Sequence, residues 1–191
     1  MRAVLITAAG KNFCAGIDLA YFSAQFGTTS NTGACPARAR HQARADILHM
    51  QDAFSAIESF QWPVVVAAQG ACVGAGVDLI AACDIRVCSS DATFCVKEVD
   101  VGITADLGTL QRLPHIVGYG AACDLCLTGR SVGSAEALNL RLVSAVYPSA
   151  SAMLEAARKL TQGLALKSPL AVVGTKRVLQ HARYVVCDAG W

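Results

Sequence analysis

The sequence predicts an α/β fold, and two observations carry that expectation. Short Val- and Ile-rich runs alternate with segments whose apolar residues recur at helical spacing, and the composition suits a well-cored domain. Of the 191 residues, 54% are hydrophobic and 16% charged, unlike a disordered or fibrous chain. A chain of this length is expected to bury roughly 70% of the surface its unfolded form exposes, so the core needs no disulfide or metal staple. A single domain over residues 1–191 is expected, because no repeat or low-complexity linker divides it.

Residues 3–7 predict a buried strand that ends in the turn Ala8-Ala9-Gly10. A strand of this kind normally has neighbours on both sides. Residues 23–45, rich in Gly, Thr, Ser, Asn, Ala and Arg, predict a loop or insertion. Ile47, Leu48, Met50, Phe54, Ile57 and Phe60 then recur at helical spacing, and Trp62-Pro63 stops that helix. Residues 64–69 predict a second buried strand, which enters the glycine-rich turn Gly70-Ala71-Cys72-Val73-Gly74-Ala75-Gly76 and a helix over 77–82. Strands at 84–88 and 93–96, helices at 107–117 and 119–127, a strand at 142–147 and helices at 152–166 and 169–182 complete the alternation.

The net charge is +2 and the sixteen Lys and Arg form no stripe, so nucleic acid and anionic membrane surfaces are not expected partners. No apolar run has the length of a membrane span, and residues 1–9 lack the features of a signal peptide. These features predict a soluble intracellular chain. The nine cysteines lie mostly in apolar runs, which predicts reduced, buried thiols. Cys123 and Cys126 form a C-x-x-C with no second pair and no nearby histidine, so no metal is expected.

The strand–turn–helix junction at 70–76 has the geometry that presents free N–H groups to an anion. It lacks the Gly-Lys-Ser/Thr ending of a phosphate loop, and its glycine spacing is not the dinucleotide fingerprint. Spacing alone leaves an oxyanion site and simple close packing equally open. The segment Gly10-Lys11-Asn12-Phe13-Cys14-Ala15-Gly16-Ile17-Asp18-Leu19 is a second turn of similar character, in which Asp18 by itself is an ordinary helix-start carboxylate. Asp78 and Glu98 read by themselves as solvated surface acids, and Asp106 as a cap for the following helix.

Taken in order, Phe13-Cys14-Ala15-Gly16-Ile17-Asp18-Leu19, Gly74-Ala75-Gly76-Val77-Asp78-Leu79 and Ala82-Cys83-Asp84-Ile85-Arg86 resemble the enoyl-CoA hydratase/isomerase (crotonase) family, with a match from about residue 2 to about residue 176. Val96-Lys97-Glu98-Val99-Asp100-Val101-Gly102, and the segment from Ala105-Asp106-Leu107-Gly108-Thr109 to Pro114, look like its Δ3,5-Δ2,4-dienoyl-CoA isomerase branch. The resemblance implies a crotonase-like ββα spiral. Its N-terminal strands and C-terminal helices are expected to be incomplete, since the family's elements before Arg2 are not seen and residues 183–191 diverge.

The resemblance further implies that the N–H groups of Ile17 and Ala75 bind a thioester oxygen, and that Ala15, Gly16, Ile17, Asp18 and Leu19 border the pantetheine. Ala75 stands where the family commonly has glycine, which a main-chain donor tolerates if its backbone angles are ordinary. Asp106 is implied as the base at C2, Glu98 as the proton donor at C6 and Asp78 as a polar group between them. The implied reaction converts 3,5-dienoyl-CoA to 2,4-dienoyl-CoA in unsaturated fatty acid β-oxidation. No separate cofactor is implied, because coenzyme A is part of the substrate. A homotrimer or hexamer is implied, in mitochondria or peroxisomes, with no targeting signal visible in the sequence.

Two alternatives stand beside this reading. A 2-enoyl-CoA hydratase of this family uses two glutamates, from which the shorter Asp78 and the presence of Asp106 depart. A non-catalytic acyl-CoA-binding homologue is favoured by the divergent ends.

Overall fold

The computed structural model describes residues 1–18, 20 and 35–183. Four parallel strands, β1 (Val4–Thr7), β2 (Val64–Ala68), β4 (Ile85–Ser89) and β7 (Ala145–Tyr147), form one sheet in the order β1-β2-β4-β7. A smaller sheet joins β3 (Ala71–Val73) in parallel to β5 (Thr93–Cys95), and β5 antiparallel to β6 (Val132–Gly133).

β2 organises the core. All five of its residues are buried, as a near-continuous β-branched run in a parallel sheet covered on both faces should be. Val64, Val66 and Ala68 pack with Val77, Ile80, Phe94 and Leu113 on one face. Ala67 faces the other way, toward Met153 and Ala157 of α6 (Ala150–Ala165), as the two-residue period of a strand requires.

The remaining helices are α1 (Pro36–Ser59), α2 (Ala75–Ala82), α3 (Thr109–Val117), α4 (Tyr119–Thr128), α5 (Ser134–Asn139) and α7 (Pro169–His181). Lys176, the buried residue of α7, donates to Asp84 Oδ2 at 2.7 Å and to the Trp62 carbonyl at 3.1 Å. The same Asp84 oxygen accepts the N–H of Val64 at 2.7 Å. One carboxylate thus ties α7 to the start of β2. Lys176 is buried and Asp84 half-buried, so removing Asp84 would leave a buried charge unpaired, at a cost of up to about 3 kcal/mol.

Several expectations are corrected. The loop foreseen at 23–45 contains the start of α1, which begins at Pro36. This helix buries no residue, so its early turns carry no apolar stripe to mark them. β3 lies inside what the glycine spacing presents as a plain turn, and β6 and α5 were not foreseen. These strands span only three and two residues, too few to display a period. α3 starts at Thr109 rather than 107, with Gly108 at its N-cap, so Asp106 is not its cap. Residues 23–34 and Leu19 lie outside the described residues. Among those described, no helix is long and apolar enough to cross a membrane.

Candidate active site

Pairing of the first turn with β3 builds the centre of the site. The N–H groups of Phe13 and Cys14 both donate to the Ala71 carbonyl at 3.0 Å, and Val73 donates to the Cys14 carbonyl at 2.9 Å. Cys14 and Cys72 form a parallel bridge. This register sets Gly16 against Gly74. Both have positive φ, +94° and +54°, a region that favours glycine. A Cβ on Gly74 would stand 3.7 Å from the Gly16 Cα and 3.3 Å from Glu98 Oε1. Both turns and one acid therefore meet at a point where backbone approaches backbone.

The peptide after each of these glycines carries the N–H of Ile17 or Ala75. Ala75 opens α2, so its N–H has no acceptor within the helix and lies at the positive end of the helix dipole. Ala75 is not among the residues with positive φ, so alanine fits there without strain. Ile17 and Gly16 are half-buried, whereas Ala15 and Asp18 are exposed. Asp18 Oδ1 accepts the N–H of Ala20 at 2.8 Å.

The approach of the two turns depends on Gly70. With φ at +56°, a Cβ there would come 2.2 Å from the Lys11 carbonyl oxygen and 2.7 Å from Asn12 Oδ1. Asn12 Oδ1 is already engaged, accepting the N–H of Ala71 at 3.0 Å. Gly70→Ala is expected to lower stability by roughly 3 kcal/mol or more, from left-handed strain and a backbone clash together. Urea unfolding of the variant, with a midpoint matching the wild type, would contradict this packing.

Three carboxylates gather around the turns. Asp78, on α2, is 1% exposed. Its Oδ1 accepts from both the backbone N–H and the hydroxyl of Thr109, each at 2.7 Å. Among the described residues, Asp78 Oδ2 and Glu98 Oε2 are buried side-chain oxygens without a hydrogen-bond partner. Glu98 begins a 3-10 turn (Glu98–Val101), and Asp106 lies half-buried just before Gly108. The Asp106 carbonyl accepts from Gln51 Nε2 of α1 at 2.5 Å.

Burial pushes the Asp78 carboxyl above its ordinary pKa; the Thr109 hydrogen bonds and Arg112 oppose this, and Asp106 adds to it. Burial likewise raises Glu98, helped by the charges of Asp78 and Asp106 and opposed by backbone hydrogen bonds. The half-buried Cys126 thiol on α4 is pushed up to about 11, chiefly by burial and then by Glu98. A buried carboxylate oxygen left bare is costly to the fold, and raised carboxyl pKa values in a cleft mark candidate proton-transfer groups.

The site residues foreseen in the sequence, Asp78, Glu98, Asp106, Ala75 and the Gly16-Ile17 turn, come together in one region. Leu19 is outside the described residues. The supporting residues Gln51, Glu58, Gly108, Thr109 and Arg112 were not singled out. Thr109 follows Gly108 at a helix start, a signal for capping, but its acceptor is thirty-one positions away, beyond any local pattern.

Comparisons with known proteins bear on the family and the fold. The enoyl-CoA hydratase/isomerase family profile matches residues 1–184. The peroxisomal Δ(3,5)-Δ(2,4)-dienoyl-CoA isomerase of Arabidopsis thaliana is 50% identical over 187 residues, covering 98% of this chain and 67% of that protein. The mitochondrial enzyme of that name from Homo sapiens is 45% identical over 183 residues, covering 95% and 55%. The chain thus spans between about half and two thirds of the length of these relatives. Among solved structures, a putative enoyl-CoA hydratase from Thermobifida fusca in complex with acetoacetyl-CoA superposes with a TM-score of 0.85. It is 33% identical, with 96% of this chain and 71% of that chain covered. An enoyl-CoA hydratase from Bacillus anthracis gives a TM-score of 0.84 at 30% identity, over 97% and 67%. With the family profile matching nearly the whole chain and the α/β architecture superposing on these structures, the chain belongs to the enoyl-CoA hydratase/isomerase family.

Proposed function

We propose that this chain isomerises 3,5-dienoyl-CoA thioesters to their 2,4-dienoyl isomers. The observation that carries the reading is the meeting of Glu98 Oε1 with the Gly16 and Gly74 turns, beside Asp78 and Asp106, whose charges bear on Glu98. The chemistry requires this combination of groups. Protons at C2 of a 3,5-dienoyl thioester are acidic, because their loss gives an enolate conjugated through to C6. Asp106 takes the C2 proton, and the electron pair spreads over the diene and the thioester oxygen. That oxygen receives the N–H groups of Ile17 and Ala75, each such donor being worth about 3 kcal/mol in the transition state.

Glu98 delivers a proton to C6, which forms the new C–H bond and leaves the 2,4-diene. Asp106 is then protonated and Glu98 ionised, so a proton must return between them. Asp78, held by Thr109 on one oxygen and bare on the other, is the orienting group and relay for that return. Burial keeps Glu98 protonated at a higher pH than an exposed glutamate, as a proton donor needs.

The named relatives, peroxisomal and mitochondrial isomerases, support placing the chain in fatty acid β-oxidation in one of those organelles. Assembly into trimers or hexamers belongs to the same reading. It is supported by the exposed apolar side chains Leu170, Val178 and Leu179 on α7, which a monomer would leave in water.

The test is a near-UV assay of the purified chain with 3,5-octadienoyl-CoA, following the conjugated 2,4-dienoyl thioester. Its appearance is the expected result. Water addition to crotonyl-CoA without dienoyl isomerisation would make the chain a hydratase, and tight acyl-CoA binding without turnover would make it a binding protein.

A further inference from the structure

We propose that Arg112 is a positioning residue for this reaction: it holds the loop that carries Asp106 against α1, and with it Thr109, the residue that fixes Asp78. The inference rests on the isomerase reading and deepens it.

Arg112 lies on α3 and is only 6% exposed. Its Nε donates to Glu58 Oε2 at 2.9 Å, with longer contacts from Nη2 to Ser55 Oγ and from Nη1 to the Leu107 carbonyl, both at 3.4 Å. The guanidinium occupies the place where a side chain on residue 108 would be. A Cβ on Gly108 would stand 1.7 Å from Nη1 and 2.9 Å from Cζ, and Gly108 has φ of +121°. Arg112 also donates its backbone N–H to the Gly108 carbonyl at 3.1 Å. The glycine and the arginine are therefore one device, in which the loop backbone folds over the guanidinium.

The other half of the clamp is α1. Gln51 holds the Asp106 carbonyl, and Ser55 and Glu58 hold Arg112. α1 has no fully buried residue and reaches the core through the partly buried Ile57; these polar contacts are the ones that tie it to loop 106–108. Thr109 follows this loop directly, and its N–H and hydroxyl hold Asp78 Oδ1. Glu58 also receives Arg183 Nη1 at 2.9 Å. Two guanidinium groups share one carboxylate, so the cluster keeps a net positive charge. That charge favours ionised Asp78, opposing burial and the negative charge of Asp106.

Lysine cannot reproduce this arrangement, because a single ammonium on a flexible stem does not span three acceptors in a plane. The groups that bear on Asp78 are Thr109 and Arg112 from α3 and Asp106 from the preceding loop. Glu98 from the 3-10 turn and Cys126 from α4 also face it.

Arg112→Gln, Arg112→Lys and Glu58→Gln test the proposal, each first checked for cooperative unfolding. Arg112→Gln should lower kcat about 10²-fold, the usual consequence of misplacing a reacting group by an ångström, with KM changed less than about threefold. The acidic limb of its kcat profile should move to higher pH, because Asp78 loses a favourable charge. Arg112→Lys should restore the limb and leave kcat low, whereas Glu58→Gln should lower kcat without moving the limb to higher pH, since it removes a negative charge from the cluster. A residue with a merely structural role would change the unfolding midpoint and leave kcat per folded molecule and the pH profile alone.

Amide hydrogen exchange gives a readout that needs no substrate. Exchange of the Thr109 N–H should quicken more than about tenfold in Arg112→Gln, while Val66 in β2 is unaffected. Unchanged kcat and unchanged Thr109 exchange in this variant, with the wild type active, overturn the clamp and leave the isomerase reading in place. An inactive wild type overturns the isomerase reading, and the Thr109 exchange then decides whether the clamp holds the loop.

Discussion

Asp106→Asn is expected to lower kcat on 3,5-dienoyl-CoA by about 10²–10⁴-fold, the range associated with losing a general base. The substitution preserves shape and removes the ability to accept a proton at neutral pH. Its effect on the fold should be small, because the contact that anchors residue 106 runs from Gln51 to the backbone carbonyl and does not involve the side chain. KM should change little, since the oxyanion donors belong to the backbone at Ile17 and Ala75. The diagnostic measurement is exchange of the C2 protons of the substrate in deuterium oxide, which reports the first proton transfer by itself. The wild type should wash deuterium into C2, and Asp106→Asn should not. Full turnover in correctly folded Asp106→Asn would remove Asp106 from the mechanism.

The parts of this site that were legible in the sequence share a physical property: they are local. β2 announces itself through Val64-Val65-Val66 because a strand buried on both faces has no polar positions to interrupt it. The glycine-rich turn before α2 is legible because a buried strand, closely spaced glycines and a helix start follow each other along the chain, although its role as an oxyanion donor came from the resemblance. What was hidden is non-local or carries no apolar signal. The first turns of α1 are helical without burying anything, so the sequence there reads as a loop. The Glu58–Arg112 contact spans fifty-four positions, and neither residue is unusual until the other is beside it. Gly108 shows the same limit: the sequence places it inside a helix over 107–117, and only the guanidinium in its Cβ space explains why nothing larger fits. The roles of Asp78, Glu98 and Asp106 came from resemblance. As isolated acids they resemble surface residues, and the folded chain shows two of them with bare buried oxygens.

Glu98→Gln should separate the two proton transfers and, at the same time, stabilise the fold. The variant keeps Asp106 and both oxyanion donors, so deuterium should still enter C2. It has no proton to deliver at C6, so formation of the 2,4-diene should fall by a factor comparable to the loss in Asp106→Asn, about 10²–10⁴. Continued C2 exchange without product would be hard to obtain from a general distortion of the pocket. The stability effect has the opposite sign and follows from burial. The folded pKa of Glu98 lies above its ordinary value, so the native state resists its ionisation. Its contribution is most favourable below the unfolded pKa of about 4.3 and is lost as pH rises through the folded value. Glutamine does not ionise and escapes that loss. Melting temperatures of the two proteins should therefore lie close together near about pH 4 and diverge as pH rises, with Glu98→Gln the more stable by about pH 8. A variant whose melting temperature falls relative to wild type as pH rises from about 4 to about 8 would mean that ionised Glu98 gains more from its surroundings than burial costs it, and the same result would remove the reason for calling it the proton donor.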